Sequence, residues 1–469
     1  MKKRFLALLS AAVMVFATGC VGGGNNGGKI EPADPNKKAT IEFYVWSEKA
    51  LCQEIADSFH EIYPNWTVKV VLSTSDYYTS LKTYAGTGEM PDVFYMQPKV
   101  MTDFCRDGLL LNLSSYMNAV GESVKQTDLW SFNDSYRFNN STEKLGSGDY
   151  YAFVKDFTPE FMMIYNKKHI DEYNQTHEKS LAQEVGYPTD EDGVYPSATK
   201  SMSWAQNEKM CSLLSKFDSN GNFTRYGSNV SFEPWAHLGQ FVSQLGGTLY
   251  DDDGYFNASS EAVIKSVEHL KNYMDGANRS AVKIGSSVVN EGMGFRNGDI
   301  SVVFTGRWAF QQYDWMDADF EFGVAPPAMP EAEQDTKSVS AMVGIAAAAD
   351  SKYPAITYKF IEYYMTYGQK LLSSKGFNIP GNKTVAQRDY VNTGDAKVDA
   401  LNSYFLSFVD KIEMVEINPW FDNTDSIFGL ELTRAWAEGA DRKTITAALA
   451  STKSSIDAKV DQNKSRYGR

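Results

Sequence analysis

The chain has 469 residues, with 45 Lys+Arg against 59 Asp+Glu, a formal net charge of −14. That surplus of anions excludes a nucleic-acid-binding domain, which needs cations to neutralise phosphates. With 43% hydrophobic and 22% charged residues, the composition excludes a disordered or fibrous chain, and the length predicts two domains or one interrupted pair.

In chain order, Lys2, Lys3 and Arg4 come first, followed by an apolar run of 13 residues from Phe5 to Ala17. A bilayer-spanning helix needs about 20 such residues, so this run reads as a secretion signal. Ala17-Thr18-Gly19-Cys20 resembles the lipobox of bacterial lipoproteins. The resemblance implies cleavage after residue 19 and a diacylglycerol thioether on Cys20. Residues 20–38 then form a tether, opened by Val21-Gly22-Gly23-Gly24-Asn25-Asn26-Gly27-Gly28, which lets a folded body move above a membrane. Losing three cations with the signal takes the net charge from −14 to −17, that of an acidic body held at a surface.

The folded part is expected to begin near Ala39. Thr40 to Trp46 reads as a strand, and Leu51, Ile55, Phe59 and Ile62 recur at helical spacing until Pro64 stops them. A strand over Thr67–Leu72, a helix around Asp76–Ala85 and a strand at Asp92–Tyr95 complete a βαβαβ series. That order predicts a parallel sheet with helices on both faces, the α/β class. Residues 133–149 and 173–200 are polar and rich in turn formers, and read as surface excursions. Further on, Val263, Val267, Leu270 and Met274 make a helical stripe, Ser301–Thr305 a strand, and Ile356, Phe360, Tyr363 and Tyr367 a stripe opened by Pro354.

The order of short motifs resembles the family 1 extracellular solute-binding proteins of ABC sugar importers, whose best-known members bind maltose. The motifs are Phe43-Tyr44-Val45-Trp46, Met90-Pro91-Asp92-Val93, Ile164-Tyr165-Asn166-Lys167, Tyr226-Gly227, Glu233-Pro234-Trp235 with Gly246-Gly247, and Thr305-Gly306-Arg307-Trp308. They span about Thr40 to Thr384. The resemblance implies a two-lobe, type II periplasmic-binding-protein-like fold, each lobe a mostly parallel sheet flanked by helices, with a hinge between. The expected lobes are 39–156 with 326–377, and 157–325 with 378–469. Crossings are expected near Val154–Thr158, Val324–Pro327 and Phe377–Pro380.

A sugar presents apolar C–H faces and a rim of hydroxyls, so its site needs aromatic plates and polar acceptors or donors. Trp46, beside Ser47 and Glu48 at a strand tip, suits a cleft plate or a core tryptophan. In the family, a carboxylate at Asp92 accepts substrate hydroxyls or structures the strand end. Trp308 follows Gly306-Arg307, where relatives stack an aromatic on a sugar ring. Trp235 corresponds to a second-lobe aromatic, or to one buried in that lobe. Arg307 could bind ligand or sit exposed in a salt bridge. Phe157 and Glu160, past the first crossing, and Trp420 and Phe421, after Asn418-Pro419, complete the candidates.

Asp251-Asp252-Asp253-Gly254 and Asp218-Ser219-Asn220-Gly221-Asn222 miss the twelve-residue calcium register and read as turns. No histidine pair, P-loop or GxSxG elbow is present, so neither a metal nor a cofactor is expected. Cys52 and Cys105 could pair outside a cell, or stay free with Cys211. The expected function is a non-enzymatic, monomeric receptor, lipid-anchored on the outer face of a bacterial cytoplasmic membrane. It would pass an oligosaccharide to an ABC permease. A secreted carbohydrate-active enzyme, or the same fold holding a polyamine, are the alternatives.

Overall fold

The computed structural model describes residues 30, 32–120, 124–229, 237–275, 279–281, 291–414, 416–420, 432, 434–435 and 439–468. The signal segment, Cys20, Trp235 and Phe421 lie outside them.

Strand Ala39–Val45 pairs in parallel with Trp66–Leu72 on one side and with Val93–Met96 on the other. The helix between the first two, Lys49–Ile62, buries Cys52, Ile55, Ala56 and Phe59, the spacing of one helical face. Burying Ile55 and Phe59 contributes roughly 1.5–3 kcal/mol each. Helix Tyr77–Thr87 starts where the Asp76 carboxylate accepts the Thr79 N–H at 2.7 Å, and it stops at Gly88, whose φ of 70° suits the left-handed cap. The same sheet continues through the antiparallel strands Ser338–Ala347 and Ala152–Pro159 to Ile379–Pro380, with Ile412–Met414 alongside Ser338–Ser340.

A five-stranded sheet holds Phe322–Ala325, Met162–Asn166, Ile300–Thr305, Phe223–Ser228 and Lys216–Phe217 in that order. Its strand Met162–Asn166 is buried on both faces. Met162 and Ile164 enter one apolar cluster with Phe310 and Phe405, whereas Met163 and Tyr165 enter a second with Val302, Leu270 and Ile456. The chain passes from the first sheet to the second between Pro159 and Met162, and returns between Ala325 and Ser338. Of these strands, Ser338–Ala347 runs antiparallel to both Val93–Met96 and Ala152–Pro159.

The polar excursions carry more structure than their composition predicts. A small antiparallel sheet forms over Arg137–Asn139, Lys144–Leu145 and Asp149–Tyr150. Helix Leu181–Val185 forms because Ser180 and Gln183 cap each other reciprocally. Both aspartate-rich segments fold as turns: Asp218 Oδ1 accepts the N–H of Asn220 and Asn222, and Asp251 Oδ1 accepts those of Asp253 and Tyr255. Cys52, Cys105 and Cys211 are buried free thiols, so no disulfide joins Cys52 to Cys105.

Candidate functional site

The first sheet presents an aromatic nest at the C-terminal tips of its parallel strands. Trp46, half-buried, meets the ring of Tyr77 at 4.9 Å and that of Tyr95 at 5.1 Å, both edge-on, and Tyr78 at 6.2 Å. Two residues later, Glu48 takes a left-handed backbone, φ 58°, immediately before helix Lys49–Ile62. A non-glycine residue there is strained, and such strain gathers at functional sites.

Lys155 lies directly beside this carboxylate. Strand Ala152–Pro159 is bulged: Asp156 faces Val343 and Val154 faces Gly344, so Lys155 is the extra residue between them. The bulge lets both neighbours serve one centre. Lys155 Nζ lies 2.7 Å from Asp156 Oδ2 and 2.9 Å from Glu48 Oε2, and 4.4 Å from the centroid of the Tyr95 ring. Asn378, next to the strand Ile379–Pro380, donates to Asp156 Oδ1 at 3.1 Å. Burial alone would lower the Lys155 pKa, but Asp156 and Glu48 hold it well above the ordinary lysine value. Burial pushes the Cys52 thiol, 3.0 Å from the Tyr95 hydroxyl, up to about 12.

A second aromatic and carboxylate pair stands at the passage between the sheets. Trp308 Nε1 donates to both Glu160 carboxylate oxygens, at 2.9 and 3.2 Å. The pair can meet because position 306 is glycine. A Cβ there would lie 2.4 Å from Thr158 Cγ2 and 2.9 Å from both Glu160 oxygens. Phe161, between Glu160 and Met162, is also left-handed at φ 60°, and packs with Phe304, Val339 and the ring of His237.

The other candidates do not join these plates. Asp92 sits at the opposite, N-terminal end of its strand, where it accepts the Glu42 N–H and the Ser351 hydroxyl, fastening the sheet. Phe157 is fully buried against Phe132 and Trp130. Arg307 is not exposed and, among the described residues, has no salt bridge: it is fully buried, with Nε on Asn402 Oδ1 at 3.0 Å and its backbone N–H on Thr158. Burial pulls its pKa below the ordinary arginine value. Trp420 stacks on Arg106. Sequence reasoning missed Lys155, Asp156 and Asn378. The available signal was the charged pair inside the apolar run Ala152-Phe153-Val154-Lys155-Asp156-Phe157.

Trp46 with Glu48 thus stands at the strand tips of the first sheet, and Trp308 with Glu160 at the passage into the second, with strand Ala152–Pro159 running between the sheets. Residues 54–399 match the family of bacterial extracellular solute-binding proteins. The chain belongs to that family. No curated protein matches its sequence. Solved structures match this solute-binding protein over nearly their whole lengths. The ABC substrate-binding protein Lmo0181 from Listeria monocytogenes, in complex with cycloalternan, is 19% identical, with a TM-score of 0.70 over 90% of this chain and 99% of that one. The maltose/maltodextrin-binding domain MalE from Bdellovibrio bacteriovorus, bound to maltotriose, is 15% identical at 0.68, covering 90% and 100%. UgpB from Mycobacterium tuberculosis, in complex with glycerophosphocholine, is 17% identical at 0.69, covering 91% and 99%. The two-lobe fold of these proteins is therefore that of this solute-binding protein. Among the described residues, no helix is long and apolar enough to cross a membrane.

Proposed function

We propose that this protein is a lipid-anchored receptor that captures an oligosaccharide between two lobes and hands it, unchanged, to an ABC permease. The pair of plates carries this reading: Trp46 with Glu48 at the tips of the first sheet, and Trp308, past the second sheet's strand Ile300–Thr305, with Glu160 at the crossing. Indole faces pack on sugar C–H surfaces, and carboxylates accept hydroxyls. Lobes of about 39–156 with 326–377, and 157–325 with 378–469, the latter lending Ile379–Pro380 and Ile412–Met414 to the first sheet, close on the ligand by bending the strands between the sheets. Ligand contacts made by both lobes shift the population toward closure. The anchor is Cys20, and the receptor works as a monomer on the outer face of the cytoplasmic membrane. Trp235, in the Glu233-Pro234-Trp235 motif, adds a second-lobe contact.

The test is calorimetry of the purified protein against maltotriose, mannotriose and cycloalternan, with chromatography of the recovered sugar. One-to-one saturable binding with intact sugar supports the receptor. Multiple turnover to shorter products supports the enzyme instead. A second reading keeps the fold and changes the cargo, and a structural neighbour bound to glycerophosphocholine favours it. Binding of that compound or of a polyamine, with none of the three sugars, selects it.

A further inference from the structure

We propose that Lys155 is a positioning residue for ligand recognition, acting through Glu48 rather than touching the ligand. The inference rests on the receptor reading of the same site.

Glu48 Oε2 is held from two sides, by Lys155 Nζ at 2.9 Å and by the Tyr95 hydroxyl at 3.4 Å. Among the described residues, nothing donates to its Oε1. The side chain is 13% exposed, against 2% for Lys155, so the carboxylate is within reach of a solute and the ammonium is not. The carboxylate thus has one clamped oxygen and one open oxygen, beside Trp46 at a strand tip. The left-handed backbone at Glu48 gives the clamp a purpose. A strained residue keeps its geometry only when its surroundings over-determine it.

Lys155 also ties the site to the strand that leads into the second sheet. It grips Asp156 on that strand, and Asp156 accepts from Asn378, next to strand Ile379–Pro380. The groups facing the ammonium are Glu48, Asp156, the Tyr95 ring and, more distantly, the Phe377 ring, with Tyr364 and Cys52 close behind. Two carboxylates and one buried cation leave an anionic acceptor that survives loss of water when a ligand covers it. Without the cation, two like charges share the space, and covering them with ligand drives one to take up a proton.

The experiment compares wild type, K155M, E48Q and E48Q/K155M, with each of maltotriose, mannotriose and cycloalternan, by calorimetry from pH 5.5 to 8.5 in buffers of different ionisation enthalpy. Melting temperature is recorded alongside. For the sugar that wild type binds, the wild-type affinity is expected to be flat with pH, with no net proton uptake. K155M should bind at least tenfold more weakly at pH 8 and take up a proton on binding. E48Q and E48Q/K155M should match within about threefold, because Lys155 acts through Glu48. If K155M does not fold, this last comparison carries the test, since the double variant loses one carboxylate with the ammonium. K155M with wild-type affinity and a flat pH profile overturns the proposal, as does a double variant that folds like E48Q but binds tenfold more weakly. If wild type binds none of the three sugars, the receptor reading for them fails, an outcome separate from either of these.

Discussion

The Arg106 guanidinium stacks on the indole of Trp420 at 3.8 Å, joining helix Pro98–Arg106 of the first sheet to a segment 314 positions away. Arg106 Nη1 donates to the Pro419 carbonyl at 2.7 Å, and the Tyr467 ring lies 5.3 Å away. The next residue, Asp107, accepts from Arg466 and Tyr467 at the end of helix Arg442–Arg466, which packs on helix Glu261–Asn272 of the second cluster. The contact bridges the two halves without using a connecting strand. The Arg106 side chain is only 3% exposed, so its stacking is desolvated and strong for its type.

R106A is expected to lower stability by about 2–4 kcal/mol, because it removes the buried cation's stack on Trp420 and its hydrogen bonds to the Pro419 carbonyl and the Glu143 carboxylate. R106K should recover only part, since an ammonium keeps the charge but not the planar stack. Urea denaturation of the three proteins measures this, and an R106K protein as stable as wild type would contradict it.

W308A should weaken oligosaccharide binding by roughly 1–3 kcal/mol. W308F separates two roles of this ring: it keeps an aromatic face but cannot donate to Glu160. Calorimetry should place W308F between wild type and W308A. Unchanged binding in both variants would remove Trp308 from the site.

G306A tests the same pair from below. The new methyl would meet Thr158 and both Glu160 oxygens. The strand or Glu160 must then move, at a cost of about 1–3 kcal/mol in stability, with weaker binding. A G306A protein with wild-type melting and affinity would show that this close approach is not required.

His169 makes stability acid-sensitive. Its Nδ1 shares a hydrogen bond with Ser301 Oγ at 3.0 Å, and burial, aided by Arg225, pulls its pKa down to about 3. The unfolded chain protonates this imidazole near 6.5, whereas the folded chain keeps it neutral. Its contribution is therefore fully present above that pH and lost as pH falls toward 3, by at most about 1.4 kcal/mol per unit. Denaturation at pH 4.5 and 7.5 should show a smaller loss in H169Q than in wild type. Equal losses would assign the acid sensitivity elsewhere.

Much of the first sheet was legible because its signals are local. Alternation marked Thr40–Trp46, helical spacing marked Ile55 and Phe59, and Pro64 marked the stop. The positions of Trp46 and Trp308 just past strands Ala39–Val45 and Ile300–Thr305 were legible for the same reason. Lys155 was not, because its burial depends on a bulge that exists only once Ala152–Pro159 pairs with Ser338–Ala347. Arg307 reads as a surface residue until Asn402 and the Phe310 ring enclose it. Asp92 lay within the reading as a strand fastener, and its partners Glu42 and Ser351 give it that role. In sequence Trp420 suits a cleft rim or plain packing, and the structure stacks it on Arg106, 314 positions away.

The central claim is that indoles from both sheets grip a sugar that leaves unchanged. Its most direct test is a calorimetric titration of W46A/W308A against whichever of maltotriose, mannotriose and cycloalternan wild type binds. The account predicts one-to-one binding by wild type and at least a hundredfold loss in the folded double variant. Equal affinity in the two proteins would contradict it.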